Sequence, residues 1–184
     1  MKTDSSSPSG LRSRITTPAA LISIACAALL SLSIAACGDD DDNNVTTPAL
    51  PAGVEALRAS LEPFSSPALS RQAGYTTALT DCMSHGDLGA MGIHIANAAL
   101  LDGTADPLRP EALIYEPGNG GEMSLVGVEF IVPFAAVPKT AAAPELFGQK
   151  FSQNDVFGVW ALHVWTTRSN PSGLFAPWNP RVHC

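Results

Sequence analysis

The feature that most limits what this chain can fold into is an uncharged apolar run, residues 19–36, which ends at Cys37. Gly38 and four aspartates, Asp39, Asp40, Asp41 and Asp42, come immediately after it. Ahead of the run stand Lys2, Arg12 and Arg14. A basic start, an apolar middle and small residues before a cut are the parts of a secretory signal peptide. Residues 1–36 then serve export and take no part in the fold. Left uncut, the same run is just long enough for one membrane anchor. In both readings the folded unit is built from the residues beyond Cys37, roughly 150 of them, a length that suits one domain with its own core.

The segment Ile34-Ala35-Ala36-Cys37 resembles a bacterial lipobox. That resemblance implies cleavage before Cys37 and lipidation of its thiol and new N-terminus. It implies an exported lipoprotein on the outer side of the cytoplasmic membrane, in the periplasm, at the outer membrane or at the cell surface. Loss of Lys2, Arg12, Arg14 and Asp4 leaves the remainder more acidic than the full chain, whose net charge is −7. Such a surface repels phosphates, so nucleic acid is excluded as a partner and acyl chains have to supply the membrane attachment. More than one chain on a single cysteine gives stable anchoring. Residues 37–53 are rich in Asp, Asn, Thr and Pro and read as an acidic disordered tether. Residues 54–184 are left as the single domain.

Cysteine arithmetic depends on the same cut. Cys26 leaves with the signal and Cys37 is consumed by lipid, so Cys82 and Cys184 remain. Two thiols in an oxidising compartment most simply form one disulfide. It would tie the C-terminal end back to the start of the domain.

Residues 54–61 have the composition of a short helix that stops before Pro63. Ser66-Pro67 reads as a cap with proline at the first helical position, and Gly74 as the left-handed residue that ends the helix. From Tyr75 the texture changes to strand, with β-forming runs at 75–80, 91–97, 112–116, 123–132 and 158–166. Pro117-Gly118-Asn119-Gly120-Gly121 is a hairpin signal. Residues 133–144 read as an Ala/Pro loop, and Asn170-Pro171-Ser172-Gly173 and Pro177-Trp178-Asn179-Pro180 as turns. The expected class is α+β: one or two N-terminal helices packed on a mostly antiparallel sheet of about five strands.

Alternation along a strand sorts its residues into two faces. Val126, Val128, Phe130 and Val132 share one face, and Leu125, Gly127, Glu129 and Ile131 the other. In the last strand Leu162 and Val164 oppose Ala161, His163 and Trp165. His94 sits between Ile93 and Ile95, and Glu116 ends its own strand. If the faces coincide, His94, Glu129 and His163 converge with Glu116 at the rim. Two imidazoles and a carboxylate suit zinc, copper or non-haem iron, or general acid/base work. Equally, each could be a satisfied core group, the glutamates paired with Arg109 or Arg168.

A rival constellation joins Cys82 and His85 to His183 and Cys184 as a Cys2His2 zinc site, but an oxidising compartment favours the disulfide. Among the aromatic residues, Trp178 between two prolines is the candidate pocket wall, and the others read as core. The chain has no G-x-S-x-G elbow, H-E-x-x-H pair, P-loop or dinucleotide fingerprint.

Several segments together resemble a family of uncharacterised exported bacterial proteins: Ala90-Met91-Gly92-Ile93-His94-Ile95-Ala96-Asn97, Pro110-Glu111-Ala112-Leu113-Ile114-Tyr115-Glu116-Pro117, Leu125-Val126-Gly127-Val128-Glu129-Phe130, Phe147-Gly148-Gln149-Lys150-Phe151, Leu162-His163-Val164-Trp165, Asn170-Pro171-Ser172-Gly173-Leu174-Phe175 and Trp178-Asn179-Pro180-Arg181-Val182-His183-Cys184. The resemblance implies one domain and no particular activity. Three functions stay open. One is an envelope module binding a small ligand or divalent metal at His94, Glu129 and His163. The second is a metal-dependent enzyme with Glu116 or Glu129 as base. The third is a structural interaction protein without a metal site.

Overall fold

Val54, Leu57 and Leu61 recur at helical spacing and are the buried residues of α1 (Val54–Leu61). Pro63 cannot continue that helix, and the chain tightens into a 3₁₀ turn, Glu62–Ser65, before α2 (Pro67–Gln72). Ser66 takes the N-cap position but makes no side-chain cap bond. Gly74 ends the segment with φ +95, as the left-handed stop requires. The computed structural model describes residues 49–184, which belong to one compact unit. The expected signal peptide, the expected lipidation site Cys37 and most of the expected tether lie outside the described residues. Among the described residues no helix is long and apolar enough to cross a membrane.

The strands are β1 (Thr77–Ala78), β2 (Met83–Ser84), β3 (Ala90–Ala96), β4 (Ala112–Pro117), β5 (Met123–Pro133), β6 (Glu145–Leu146), β7 (Gln149–Lys150), β8 (Ser152–Asn154) and β9 (Val159–Val164). The main sheet has seven strands in the order β1-β3-β4-β5-β9-β8, with β2 also on β3 and every pair antiparallel. β6 and β7 form a separate ribbon. The α+β class therefore holds, but five strands was too few. The run at 75–80 shrinks to Thr77–Ala78, and β2 and β8 are extra edge strands. Both are two or three residues long and largely polar, so they carry no alternation to read and are fixed by the neighbours they pair with.

The helix-side face of the sheet holds the main core. Leu113, Tyr115, Val128, Phe130, Val132, Trp160, Leu162 and Val164 meet Leu57, Leu61 and Tyr75 there. Tyr115 donates its hydroxyl to the Phe64 carbonyl at 2.7 Å and lies 2.9 Å from Ser70 Oγ, fastening the helices to β4. The opposite face carries two smaller clusters, one of Ala90, Ile114, Val126, Trp165 and Val182, the other of Ala96, Ala112 and Ile131. A bulge explains two misplaced residues, Val126 and Leu125. Ile114 pairs with Gly127 but Tyr115 pairs with Leu125, so Val126 is supernumerary. Past that point the faces exchange. Val126 turns away from Val128, Phe130 and Val132 toward Ile114 and Trp165, and Leu125 packs on the helix side.

The C-terminal segment closes over this second face. Cys82 and Cys184 form the expected disulfide, with Cα atoms 5.6 Å apart. Ala90 and Asn179 exchange two backbone hydrogen bonds of 3.1 Å. The approach is so close that a Cβ on Gly89 would stand 2.1 Å from the Asn179 carbonyl oxygen. Val182 is fully buried beneath.

Candidate metal centre

His94 on β3, Glu129 on β5 and His163 on β9 share the second face. Register brings them together: Ala96 pairs with Ala112, Ala112 with Glu129, and Glu129 with His163. His94 stands one step along the same face from Ala96. In that row β4 presents only the Ala112 methyl, and Gly127 sits next to Glu129 on that face without a side chain. The direct partner of His94 on β4 is Ile114, which packs with Val126 and Trp165. Nothing tall separates the two imidazoles. Their Nε2 atoms lie 3.1 Å apart, and Glu129 Oε2 lies 3.5 Å from His94 Nε2. His163 Nδ1 is 3.7 Å from Glu129 Oε1, too far for a hydrogen bond. His94, Glu129 and His163 are 3%, 9% and 8% exposed.

Tetrahedral donors about 2.0–2.1 Å from zinc are roughly 3.3 Å from one another. The His94–His163 and His94–Glu129 separations of 3.1 and 3.5 Å bracket that edge, while the Glu129–His163 contact runs to Nδ1 and is longer, 3.7 Å. Among the described residues, these three are the group of His, Cys, Asp and Glu side chains whose donor atoms lie close enough to hold a metal ion, all within 4.8 Å. Thr80 Oγ1 lies 3.1 Å from His94 Nδ1 and so fixes the orientation of that ring from behind, the arrangement metal-ligating histidines commonly have.

Burial sets the charge of these three groups. Desolvation pushes the Glu129 carboxyl up to about 8, with the Glu111 charge adding to it. It pushes His94 down to about 4, and His163, which also feels His94, to about 3. At neutral pH the cluster is thus two neutral imidazoles and a protonated carboxyl. Glu111, fully buried at the start of β4, accepts a bond from the Ile131 amide at 2.9 Å, and its other oxygen has no protein partner. Desolvation raises it to about 7.

The cluster opens into a cavity of about 280 Å³. Leu79, Met83, Met91, Leu101, Ile131, Pro133, Phe157 and Val159 supply apolar walls, and Thr80, Asn154 and the three cluster residues the polar ones. Met91 joins this wall because Gly92, at φ +85, breaks the alternation of β3. A Cβ at Gly92 would lie 2.7 Å from the Tyr115 carbonyl oxygen, so glycine is required there.

Other expected residues are placed elsewhere. Glu116 is not at the rim of the cluster. Its Oε2 accepts from Arg168 Nη2 at 2.5 Å and its Oε1 from the His183 amide at 2.9 Å, so it holds the C-terminal segment. Glu129 is not paired with an arginine; the groups facing its carboxyl are the two imidazoles. The Cys2His2 alternative fails because both cysteines are in the disulfide and the His85 ring rests on Trp178 at 5.3 Å. Trp178 is therefore not the pocket aromatic. Phe157, on the turn between β8 and β9, is, and the other walls from Thr80, Met91 and Asn154 were also missed. They lie in bulges, turns and edge strands, where alternation gives no signal. Comparison with protein-family models, curated proteins and solved structures finds no match for this chain.

Proposed function

We propose that the protein is an exported, lipid-anchored envelope protein whose domain binds a divalent transition metal through His94, Glu129 and His163. The observation that carries the reading is the spacing of two imidazole nitrogens and a carboxylate oxygen at 3.1 and 3.5 Å on the floor of a cavity. A neutral imidazole pair alone would need one hydrogen bond and no adjoining carboxylate. Binding is favoured over catalysis because Glu129 is the one carboxylate lining the cavity among the described residues, and as a ligand it is not free to act as base. The acidic tether and acyl chains at Cys37 would hold the domain to the membrane surface.

The test is metal analysis of the protein exported to an oxidising compartment and purified without an affinity tag, beside a His94→Ala, His163→Ala double variant. Near-stoichiometric zinc, copper or iron that disappears in the variant supports the reading. Failure to retain any of them after reconstitution, with the variant as stable as the parent, overturns it.

A further inference from the structure

The cavity above the cluster is built for more than a metal ion. Among the described residues its walls offer eight apolar side chains and no lysine or arginine. Two of the eight are methionines, which adapt to irregular chains. The mouth is extended by the β8–β9 turn, where Phe157 is 55% and Val156 88% exposed. A volume of about 280 Å³ is at the small end for a ligand site.

Charge specifies the other end of the ligand. This step rests on the metal reading above. A coordinating carboxylate is ionised and coordinating imidazoles are neutral. A divalent cation with Glu129 then leaves one uncompensated positive charge in a site that is nine-tenths buried. An isolated buried charge is costly, and among the described residues the cavity walls hold no anionic group besides Glu129 to cancel it. Glu111, whose charge Glu129 feels, does not line the cavity and accepts a bond from the Ile131 amide. Three protein donors also leave a tetrahedral metal with one open position.

We infer that the cavity takes a small monoanionic amphiphile, an aliphatic carboxylate, with its head on the metal and its chain along Leu79, Leu101, Ile131, Val159 and Phe157. The head neutralises the site and the chain replaces water on the apolar walls. Among the described residues no wall cation is available to hold the head by itself, so binding requires the metal.

The probe is a series of linear carboxylates from acetate to decanoate, titrated calorimetrically below their micelle concentrations into zinc-loaded and metal-free protein. Zinc content is measured first on the same samples. Affinity for the zinc-loaded protein rises about fourfold per methylene, the equivalent of about 0.8 kcal/mol, and levels off once the cavity is full. The metal-free protein and the primary amines of equal length show no such series. In Leu101→Trp the plateau comes at a shorter chain with zinc retained, and in Phe157→Ser, at an exposed turn, the longer chains weaken. A flat series on zinc-loaded protein overturns the inference and leaves the metal reading standing. Equal binding by metal-free protein overturns the role given to the metal. Protein that holds no zinc at all overturns both.

Discussion

Replacing Cys82 and Cys184 by serine is expected to cost about 4–5 kcal/mol of stability. The two cysteines are 102 residues apart in sequence. In the chain-entropy treatment, closing a loop of that size removes about 16 cal/mol/K from the unfolded chain, about 4.7 kcal/mol at 25 °C. The native C-terminal segment keeps its other attachments: the Asn179–Ala90 backbone pair, buried Val182, and the His183 amide on Glu116. Those contacts should persist without the bridge, so the loss should stay near the loop entropy and not exceed it. For a domain with the usual stability of about 5–15 kcal/mol, this is a large share. Urea titration of metal-free parent and double variant at pH 7 measures it. The variant should unfold about 15 °C lower on heating, and its urea slope should increase because the open unfolded chain exposes more surface. A loss under about 1 kcal/mol with an unchanged slope would refute the reasoning, since the bridge would then not be constraining the unfolded chain.

Thr80→Val should leave the fold intact but weaken zinc binding about 10–100-fold, read by competition with a chromophoric chelator, because His94 loses the hydroxyl that orients its ring. Gly92→Ala should lower the urea midpoint by the equivalent of about 1–3 kcal/mol, because the residue sits at φ +85 with the Tyr115 carbonyl 2.7 Å from any Cβ. Metal-free protein should be most stable near about pH 5–6. His94 and His163, at about 4 and about 3, lie below their unfolded value, so their contribution is complete above about 6.5 and is lost as pH falls toward those folded values. Glu129 and Glu111, at about 8 and about 7, lie above theirs, so their contribution is complete below about 4.5 and is lost as pH rises through those folded values. A midpoint of unfolding tracked against pH should rise and then fall across that window, and added zinc should move the maximum upward because it holds Glu129 ionised. A metal-free profile that climbs steadily to pH 8 would contradict the assigned burial.

The cluster was legible because it obeys the simplest rule a strand has. His94, Glu129 and His163 each stand among apolar neighbours in a regular stretch, and period two puts Glu129 on the face of Gly127 and His163 on that of Trp165. The register that sets Glu129 opposite His163 comes only with the fold. The main core was readable for the same reason, through Val128, Phe130, Leu162 and Val164. The hidden parts depend on departures from that period. The extra residue at Val126 reverses two side chains, and no local composition marks it. Gly92 turns Met91 into the cavity, but an isolated glycine in a strand does not say which neighbour it redirects. Glu116 is as polar in an apolar strand as Glu129, and its partner Arg168 is distant in sequence, so the structural and functional glutamates look alike until the chain is folded. Trp178 drew attention through its size and flanking prolines. Phe157, in a polar turn, carried no comparable cue.

All three cluster residues and every strand from β2 to β9 lie within or at the start of the span between Cys82 and Cys184. The exposed turn Asn154–Gly158 is the natural place for a protease to enter, with Val156 88% exposed. A single cut there would separate His163 from His94 and Glu129 along the chain and yet release neither piece. The fragments would remain one covalent molecule, running as a single band on a non-reducing gel and as two after reduction. The three cluster residues would therefore stay together after a nick that would otherwise divide them between two peptides.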